Sequence, residues 1–149
     1  MPLDFQRSPG HLIRRSLQLL NTLFAEGTAG LGITAPQWAA LRALHECPDI
    51  EQIKLSDIIA YDPSTIGGLV DRLEAKGLVG RSLDASDRRL KRLNLTAAGH
   101  VFFEAYRENV RAVTNRYIAP LEPAEVEQLV SLLERLLDRS TASAEVRKS

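Results

Sequence analysis

Apolar residues recur at helical spacing over the first third of the chain and predict two helices there. The first begins at Ser8 and Pro9, a favoured N-cap and a first-turn proline, and ends before the glycines at 27, 30 and 32. The second begins at Thr34, whose spacing to Gln37 is that of a capping box, and stops at Pro48. The apolar stripes consist of Leu12, Ile13, Leu20, Leu23 and Phe24 in the first helix and Trp38, Leu41 and Leu44 in the second.

A pair of helices with a tight connection is predicted next. A short helix runs from about Leu55 to Ala60, and Asp62 and Pro63 are suited to cap and open its successor, which ends at Gly77. This layout is typical of a helix-turn-helix, whose second helix enters the DNA major groove, although an ordinary amphipathic pair with a solvated polar face fits equally well. The second helix has an apolar face of Ile66, Leu69, Val70 and Leu73 and an outer face of Ser64, Thr65, Gly68 and Arg72.

Two short strands, Leu78–Leu83 and Leu90–Leu95, are predicted on either side of the polar hairpin DASDRR. A helix-turn-helix followed at once by a β-hairpin is a winged helix. Arg88 and Arg89 at the tip of this wing are able to reach the minor groove, where the potential of DNA is most negative. Asp87 is expected to pair with a neighbouring arginine and fix its direction, since a bidentate carboxylate contact is geometrically strict. A solvated charged turn is the alternative.

The last third of the chain predicts two helices with more apolar surface than a winged helix can cover. Thr96 caps a long helix that runs towards Pro120, and Pro123 opens another. With the first helix they are expected to interleave with a second copy around a twofold axis; a monomeric bundle is the alternative. Their apolar residues are Val101, Phe102, Ala105, Tyr106, Val113 and Tyr117, then Val126, Leu129, Val130, Leu133, Leu136 and Leu137.

The predicted fold class is therefore mainly α: an α+β winged helix of about six helices with a two-stranded β-hairpin wing. Residues 1–33 are interpreted as an N-terminal dimerisation helix and residues 34–96 as the winged helix-turn-helix DNA-binding region. Residues 97–140 are interpreted as C-terminal dimerisation helices and residues 141–149 as a flexible tail.

The distribution of charge along the chain favours a nucleic-acid partner, although the net charge does not. The 19 Lys and Arg residues equal the 19 Asp and Glu residues, yet residues 72–93 hold seven cations against three acids. Residues 120–138 hold one cation against five acids, so the basic middle of the chain is able to face phosphate while the acidic end faces elsewhere. Without a signal-peptide pattern or a long apolar window, we expect a soluble cytoplasmic protein.

Catalysis, metal binding and redox chemistry find little support in the sequence. It has no glycine-rich phosphate loop, GxSxG or HExxH motif, so we expect neither enzyme activity nor a cofactor. His11, His45 and His100 fall on three separate predicted helices without metal-ligand spacing, and no metal site is predicted. The single cysteine, Cys47, has no cation immediately beside it to activate its thiol, which favours a buried structural cysteine over a peroxide sensor.

The run LSDIIAYDPSTIGGLVDRLEAKGLVGRSLDASDRRLKRLNLTAAG resembles the DNA-binding core of the multiple antibiotic resistance regulator (MarR) family. The resemblance implies a homodimeric winged-helix transcription factor, usually a repressor released by a small ligand. It also implies that Arg88 or Arg89 inserts in the minor groove while Asp87 buttresses it. The matching residues are Asp84, Asp87, Arg88 and Arg89 in the DxxDRR wing, and Leu95, Thr96 and Gly99 in the LT..G start of the next helix.

Gly67 and Gly68 depart from the family pattern, because relatives often carry polar or cationic side chains at these groove-facing positions. Base readout is therefore expected to rest on fewer side chains, with Arg72 able in principle to make a bidentate contact with guanine. The full set of predicted DNA-contacting residues is Ser64, Thr65, Gly68, Arg72, Arg81, Asp87, Arg88 and Arg89.

A candidate effector site involves His11, Arg15 and Trp38. His11 and Arg15 lie four apart on one helix face, an arginine suits a carboxylate, and Trp38 is able to supply an aromatic wall. The stretch PGHLIRR also resembles the first helix of family members that respond to aromatic acids, phenolic acids or their coenzyme A thioesters. A helix-end histidine, a surface or salt-bridging arginine and a core tryptophan are the alternatives.

Together these features predict a ligand-responsive repressor of a catabolic operon. Its expected partners are an operator in double-stranded DNA, a second copy of the chain, and an aromatic carboxylate or related thioester as inducer. A regulator of drug efflux or stress genes, and a winged-helix module that docks protein instead of DNA, are the alternatives. The sequence leaves open the effector, the operator, the regulated genes, and the choice between repression and activation.

Overall fold

The computed structural model describes residues 4–146 of the chain, with side chains as far as residue 138. Its elements in chain order are a 3-10 helix at Asp4–Arg7, α1 (Pro9–Gly27), α2 (Ala35–Glu46), β1 (Ile50–Glu51), α3 (Gln52–Ile58), α4 (Ile66–Ala75), β2 (Val79–Leu83), β3 (Lys91–Leu95), α5 (Ala97–Ile118) and α6 (Pro123–Val146). The mainly α winged-helix class predicted from sequence is confirmed.

Two of the four predicted helix caps, at Thr34 and Thr96, form side-chain hydrogen bonds. Thr34 and Gln37 form the expected capping box. The backbone N–H of Gln37 donates to the Thr34 hydroxyl, and the backbone N–H of Thr34 donates to Gln37 Oε1. The Gly99 amide donates to the hydroxyl of Thr96, which caps α5. Helix α1 does begin at Pro9, but Ser8 Oγ donates to the carbonyl of Phe5 and makes no side-chain cap.

The boundaries of α3 and α4 differ from the prediction. Helix α3 begins at Gln52, three residues earlier than expected, and ends before Ala60, which has a φ of 52°. Asp62 caps a turn and not the helix itself, because its carboxylate accepts from the backbone and hydroxyl of Ser64. Helix α4 consequently begins at Ile66. Its last helical residue is Ala75, two residues before the predicted end, and Gly77 adopts the left-handed conformation expected of a glycine after a helix, with a φ of 72°.

The wing belongs to a three-stranded sheet, not to an isolated two-stranded hairpin. Strands β2 and β3 pair antiparallel with Val79 opposite Leu95 and Leu83 opposite Lys91. The two-residue strand β1 adds to the other edge of β3, where Ile50 faces Leu93, and the strand order is β1-β3-β2. This short strand ties the wing to the segment that leads into α3.

The hydrophobic core lies where α2, α3, α4 and the sheet meet. Leu41 of α2, Leu55 of α3, Val70 and Leu73 of α4, and Leu93 of β3 are all completely buried. Leu41, Val70 and Leu73 belong to apolar faces that the sequence pattern predicted, whereas no such face was predicted for Leu55 or Leu93. The core therefore fixes the orientation of α4 relative to the wing.

The chain divides into two compact units, residues 1–113 and 114–149, and α5 contributes to both. Helix α6 continues to Val146, six residues into the segment interpreted as a flexible tail, and residues 147–149 lie outside the described part of the chain. The functional division at residues 33, 96 and 140 stays a prediction. Within residues 4–146, no helix is long and apolar enough to cross a bilayer.

Replacing Gly68 with alanine is expected to stabilise the fold. Gly68 lies within α4, and a Cβ built there meets no heavy atom within 4 Å. Because alanine has the higher helix propensity, the free energy of unfolding should rise by about 0.5–1 kcal/mol, measured by urea denaturation. A decrease would show that this glycine is required by the fold.

Candidate nucleic-acid interface

Helix α4 presents a solvent-exposed outer surface on the side opposite the core. Its buried face holds Ile66, Leu69, Val70 and Leu73, none of them more than 2% exposed. Gly68 and Arg72 are exposed on the helix, while Ser64 and Thr65 are exposed in the turn that precedes it. All four predicted groove-facing positions therefore share one accessible surface, although two of them stand before the first helical turn.

Arg81 of β2 points inward, towards the helix pair. Its Nη1 lies 2.9 Å from Asp71 Oδ1 and 3.4 Å from Glu74 Oε2, and its Nε donates to Gln52 Oε1 at 3.1 Å. The side chain is only 19% exposed. A phosphate would have to compete with both carboxylates, so the geometry does not favour the predicted DNA contact, and Arg81 instead links β2 to α3 and α4.

Asp84 organises the turn at the tip of the wing. Its Oδ1 accepts from the amide of Ser86 at 2.8 Å, the Ser86 hydroxyl at 2.6 Å and the amide of Asp87 at 3.0 Å. Two backbone bonds close the hairpin, from Asp84 N to the Leu90 carbonyl and from Leu90 N to the Asp87 carbonyl, both 3.0 Å long. The tip is therefore an ordered loop whose conformation depends on one buried carboxylate.

Asp87 holds Arg89 in a bidentate pair. Arg89 Nε lies 3.1 Å from Asp87 Oδ1 and Arg89 Nη2 lies 3.2 Å from Asp87 Oδ2, while the Arg89 amide donates to the same carboxylate. The Arg89 side chain is nevertheless 90% exposed. Since exposed ion pairs add little stability, the pair mainly sets the direction of the guanidinium. The predicted pairing of Asp87 with a neighbouring arginine is thus present, and Arg89 is that neighbour.

Residues 88–92 of the wing include four cations, Arg88, Arg89, Lys91 and Arg92. The first and the last of them have different surroundings. Arg88 is exposed and forms no ion pair with another residue in the described part of the chain. Arg92, which lies opposite Ser82 in the sheet, donates from Nε to Asp84 Oδ2 and from Nη1 to the Asp49 carbonyl at 2.8 Å. Arg92 was predicted only as part of the second strand, Leu90–Leu95, and no local pattern in the sequence indicates its contacts with Asp84 and Asp49.

The wing should be sensitive to acid. Hydrogen bonds from Ser86 and the guanidinium of Arg92 lower the pKa of Asp84, and the pairing with Arg89 lowers the pKa of Asp87. As pH falls below 3.8, the ordinary value for aspartate, the unfolded chain protonates these groups before the folded chain does. Stability that is complete above this pH is therefore lost on further acidification.

We expect the melting temperature of the wild type to fall more steeply below pH 4 than that of Asp84→Asn, which has no carboxylate to protonate at this position. Differential scanning calorimetry between pH 2.5 and 6 measures both curves. Parallel curves would contradict the assigned role of Asp84.

The three predicted effector residues have separate surroundings. His11 packs edge-on against Phe5, with ring centroids 5.3 Å apart, and Arg15 is exposed on α1. Trp38 is 6% exposed and stacks on Phe103 at 5.0 Å. Trp38 thus has the core position that was its alternative interpretation, and the ring contacts of His11 and Trp38 do not join them in one cavity.

The prediction that Cys47 is buried is wrong, and two of the three histidines come close together. Cys47 is exposed, not buried, because α2 ends at Glu46 and Cys47 is the non-helical residue that follows it. His45 and His100 come together with ring centroids 5.9 Å apart, and His45 stacks on Phe103. Among the described residues, however, no group of three or more His, Cys, Asp or Glu is arranged to hold a metal ion.

Comparison with known proteins gives a consistent result. The model of the MarR family matches residues 33–91, from the start of α2 to the first residue of β3. The HTH-type transcriptional repressor NicR of Pseudomonas putida is 30% identical over 137 residues, which cover 92% of this chain and 87% of NicR. This match spans both the winged helix and the flanking helices.

Solved structures extend the similarity to the fold. The structure of Bordetella bronchiseptica BpsR, described with the regulation of its DNA binding by 6-hydroxynicotinic acid, has 30% identity and a TM-score of 0.86 over 93% of this chain and 99% of that chain. A variant of MarR from E. coli complexed with operator DNA has 27% identity and a TM-score of 0.82 over 91% of this chain and 99% of that one. The chain therefore belongs to the MarR family and is a DNA-binding winged-helix transcriptional regulator, not an enzyme.

Proposed function

We propose that the chain acts as a homodimeric, ligand-responsive repressor. In this proposal α4 enters the major groove of a pseudo-palindromic operator and the wing reaches the adjacent minor groove. The observation that carries it is the state of Arg89, whose guanidinium is 90% exposed yet fixed in direction by Asp87. A pre-oriented cation at a protruding tip suits the narrow, electronegative minor groove, because little side-chain freedom is lost on binding.

Base readout by α4 is expected to depend on a small number of side chains. Arg72 is the long side chain on the exposed surface, with Ser64 and Thr65 at its start, and Gly68 offers only backbone. Arg72 is able to address guanine O6 and N7 together, while the short hydroxyls suit phosphate or a single base edge. Specificity should therefore come in part from the shape of the minor groove read by the wing.

Dimerisation is supported by apolar residues that the chain leaves exposed on α1. Leu12 and Ile13 are each 47% exposed, Leu17 is 57% exposed and Leu19 is 50% exposed. Helix α6 carries a further stripe that includes Val130, Leu133 and Leu136. Burial of such surface by a second copy is favourable, and the twofold symmetry would match an operator with two half-sites.

The proposed effector is an aromatic carboxylate or a related thioester, acting as the inducer of a catabolic operon. The support comes from BpsR, whose DNA binding is described as regulated by 6-hydroxynicotinic acid. In this chain Arg15 is the exposed cation suited to a carboxylate, with His11 four residues away. Trp38 would contact an effector only after leaving its stack on Phe103. Binding would favour a spacing of the two α4 helices that no longer fits DNA. A cytoplasmic location, with access to DNA, belongs to the same proposal.

The test begins with a duplex that the wild-type protein enriches from a randomised pool. A mobility shift at two salt concentrations should give specific retention that weakens as salt rises. Retention of no duplex at low salt would instead support a protein-docking module. 6-Hydroxynicotinic acid and other aromatic acids are then screened for a rise in melting temperature and for release of the duplex.

In that screen, Arg15→Ala should lose the response to a positive compound while keeping operator affinity. Arg42→Ala serves as the matched control, since Arg42 is an exposed arginine of α2 paired with Glu46. Induction that survives undiminished in Arg15→Ala would locate the effector site elsewhere.

A further inference from the structure

The side chains of Arg92, Asp84, Asp87 and Arg89 form a series of contacts that runs from the segment before β1 to the tip of the wing. Arg92 of β3 donates to the Asp49 carbonyl, and Asp49 is itself fixed by two hydrogen bonds with Asn94. Arg92 also donates to Asp84 Oδ2, while Asp84 Oδ1 accepts from the amide of Asp87. Asp87 in turn holds Arg89. The direction of the exposed tip arginine thus depends on contacts that begin at Asp49, immediately before β1.

The surroundings of Arg92 do not suit a DNA contact. Its guanidinium faces three carboxylates: it bonds Asp84, and it lies 3.8 Å from both Asp49 Oδ2 and Glu51 Oε1. Its side chain is 31% exposed, compared with 90% for Arg89. One cation among three anions leaves local negative charge, which would repel a phosphate.

We propose that Asp84 and Arg92 are positioning residues for DNA recognition, which hold the wing tip so that Arg89 meets the minor groove. The proposal rests on the proposed function, in which the wing contacts DNA. Asp84 is central because each of its oxygens has a separate task. Oδ2 anchors the carboxylate to Arg92, and Oδ1 shapes the turn that carries Asp87. Arg92 supplies the anchor and touches no base.

The direction in which Asp84→Asn changes DNA affinity distinguishes a positioning role from a purely electrostatic one. Asp84→Asn removes a negative charge close to the DNA-facing wing and frees Arg92 from its strongest partner. If Arg92 or net charge acted directly, this variant would bind DNA as tightly as the wild type or more tightly. Positioning requires the opposite result, since an amide accepts these hydrogen bonds less strongly and the tip loses its fixed direction.

The experiment is a double-mutant cycle on the whole 149-residue chain with the duplex enriched by the wild type. Wild type, Asp84→Asn, Arg89→Ala and the double variant are titrated by fluorescence anisotropy. Asp84→Asn should weaken binding roughly tenfold in the wild-type background and less than about threefold in the Arg89→Ala background. The duplex is also changed from A·T to G·C pairs at the flank contacted by the wing, where the guanine amino group obstructs the minor groove. This change should lower the affinity of the wild type more than that of Asp84→Asn.

Controls separate positioning from damage to the fold. Asp57→Asn removes an equal charge from an exposed position on α3 and should bind DNA as well as the wild type. If Asp84→Asn does not fold, judged by its melting curve, Arg92→Lys replaces it in the same cycle, keeping the charge but losing the multiple contacts. Equal losses in both backgrounds, or no loss, would overturn the proposal. Failure of the wild type to enrich any duplex would instead overturn the proposed function.

Discussion

Replacement of Arg89 with alanine should weaken operator binding roughly ten- to a hundredfold while leaving the fold intact. The guanidinium is solvent-exposed and touches only Asp87, so its loss removes little that stabilises the folded chain. It would, however, remove a pre-oriented cation from the minor groove and leave the negative charge of Asp87 facing DNA without its cationic partner. Both effects act against binding. Fluorescence anisotropy with the enriched duplex measures the affinity.

Arg88→Ala is the matched control for this prediction. Arg88 is the adjacent exposed arginine, and its removal changes the net charge by the same amount. Because it lacks a carboxylate that fixes its direction, we expect a smaller loss of affinity, typical of one phosphate contact, with a shallower salt dependence. A larger effect for Arg88→Ala than for Arg89→Ala would show that the wrong arginine has been assigned to the groove.

Replacement of Gly99 with alanine should be the most destabilising single change considered. A Cβ at this position would overlap the carbonyl oxygen of Leu78 and lie 3.0 Å from its carbonyl carbon. That carbonyl cannot easily retreat, because it accepts a hydrogen bond from Thr96 N at 3.1 Å and belongs to a buried residue at the start of the wing. We expect a loss of about 1–3 kcal/mol or more in the free energy of unfolding.

Gly68→Ala provides the comparison, since the same methyl group at that position meets open space. Urea denaturation should place the midpoint of Gly99→Ala below that of the wild type and the midpoint of Gly68→Ala above it. Equal midpoints for the two alanine variants would mean that α5 does not pack against Leu78 in this way. Because Gly99 and Thr96 adjoin the wing, the destabilised variant should also bind DNA more weakly.

The winged helix could be predicted from sequence because each element carries local signals that agree with its tertiary role. The capping box at Thr34 and Gln37 and the left-handed Gly77 both form as their residue types indicate. The apolar spacing on α4 matches its buried face. Each of these signals depends on a few neighbouring residues, so it can be recognised without knowing the tertiary structure.

What the sequence did not reveal depends on contacts between distant residues. Strand β1 has only two residues, and its pairing with β3 has no local pattern. Arg81 and Arg92 resemble the tip cations in sequence but turn inward because Asp71 and Asp84 receive them in the folded chain. Cys47 was predicted to be buried, yet the end of α2 leaves it exposed. In each case tertiary geometry, not residue type, decides the outcome.

In vitro selection from a randomised duplex pool most directly tests whether two copies of this winged helix read DNA together. The proposed dimer, with Arg89 at each wing tip, should enrich an inverted repeat whose half-site centres lie one helical turn, about 10 base pairs, apart. A·T pairs should recur at both outer flanks, where the wings would lie. Enrichment of a single half-site without such flanks, or of no sequence at low salt, would contradict this mode of recognition.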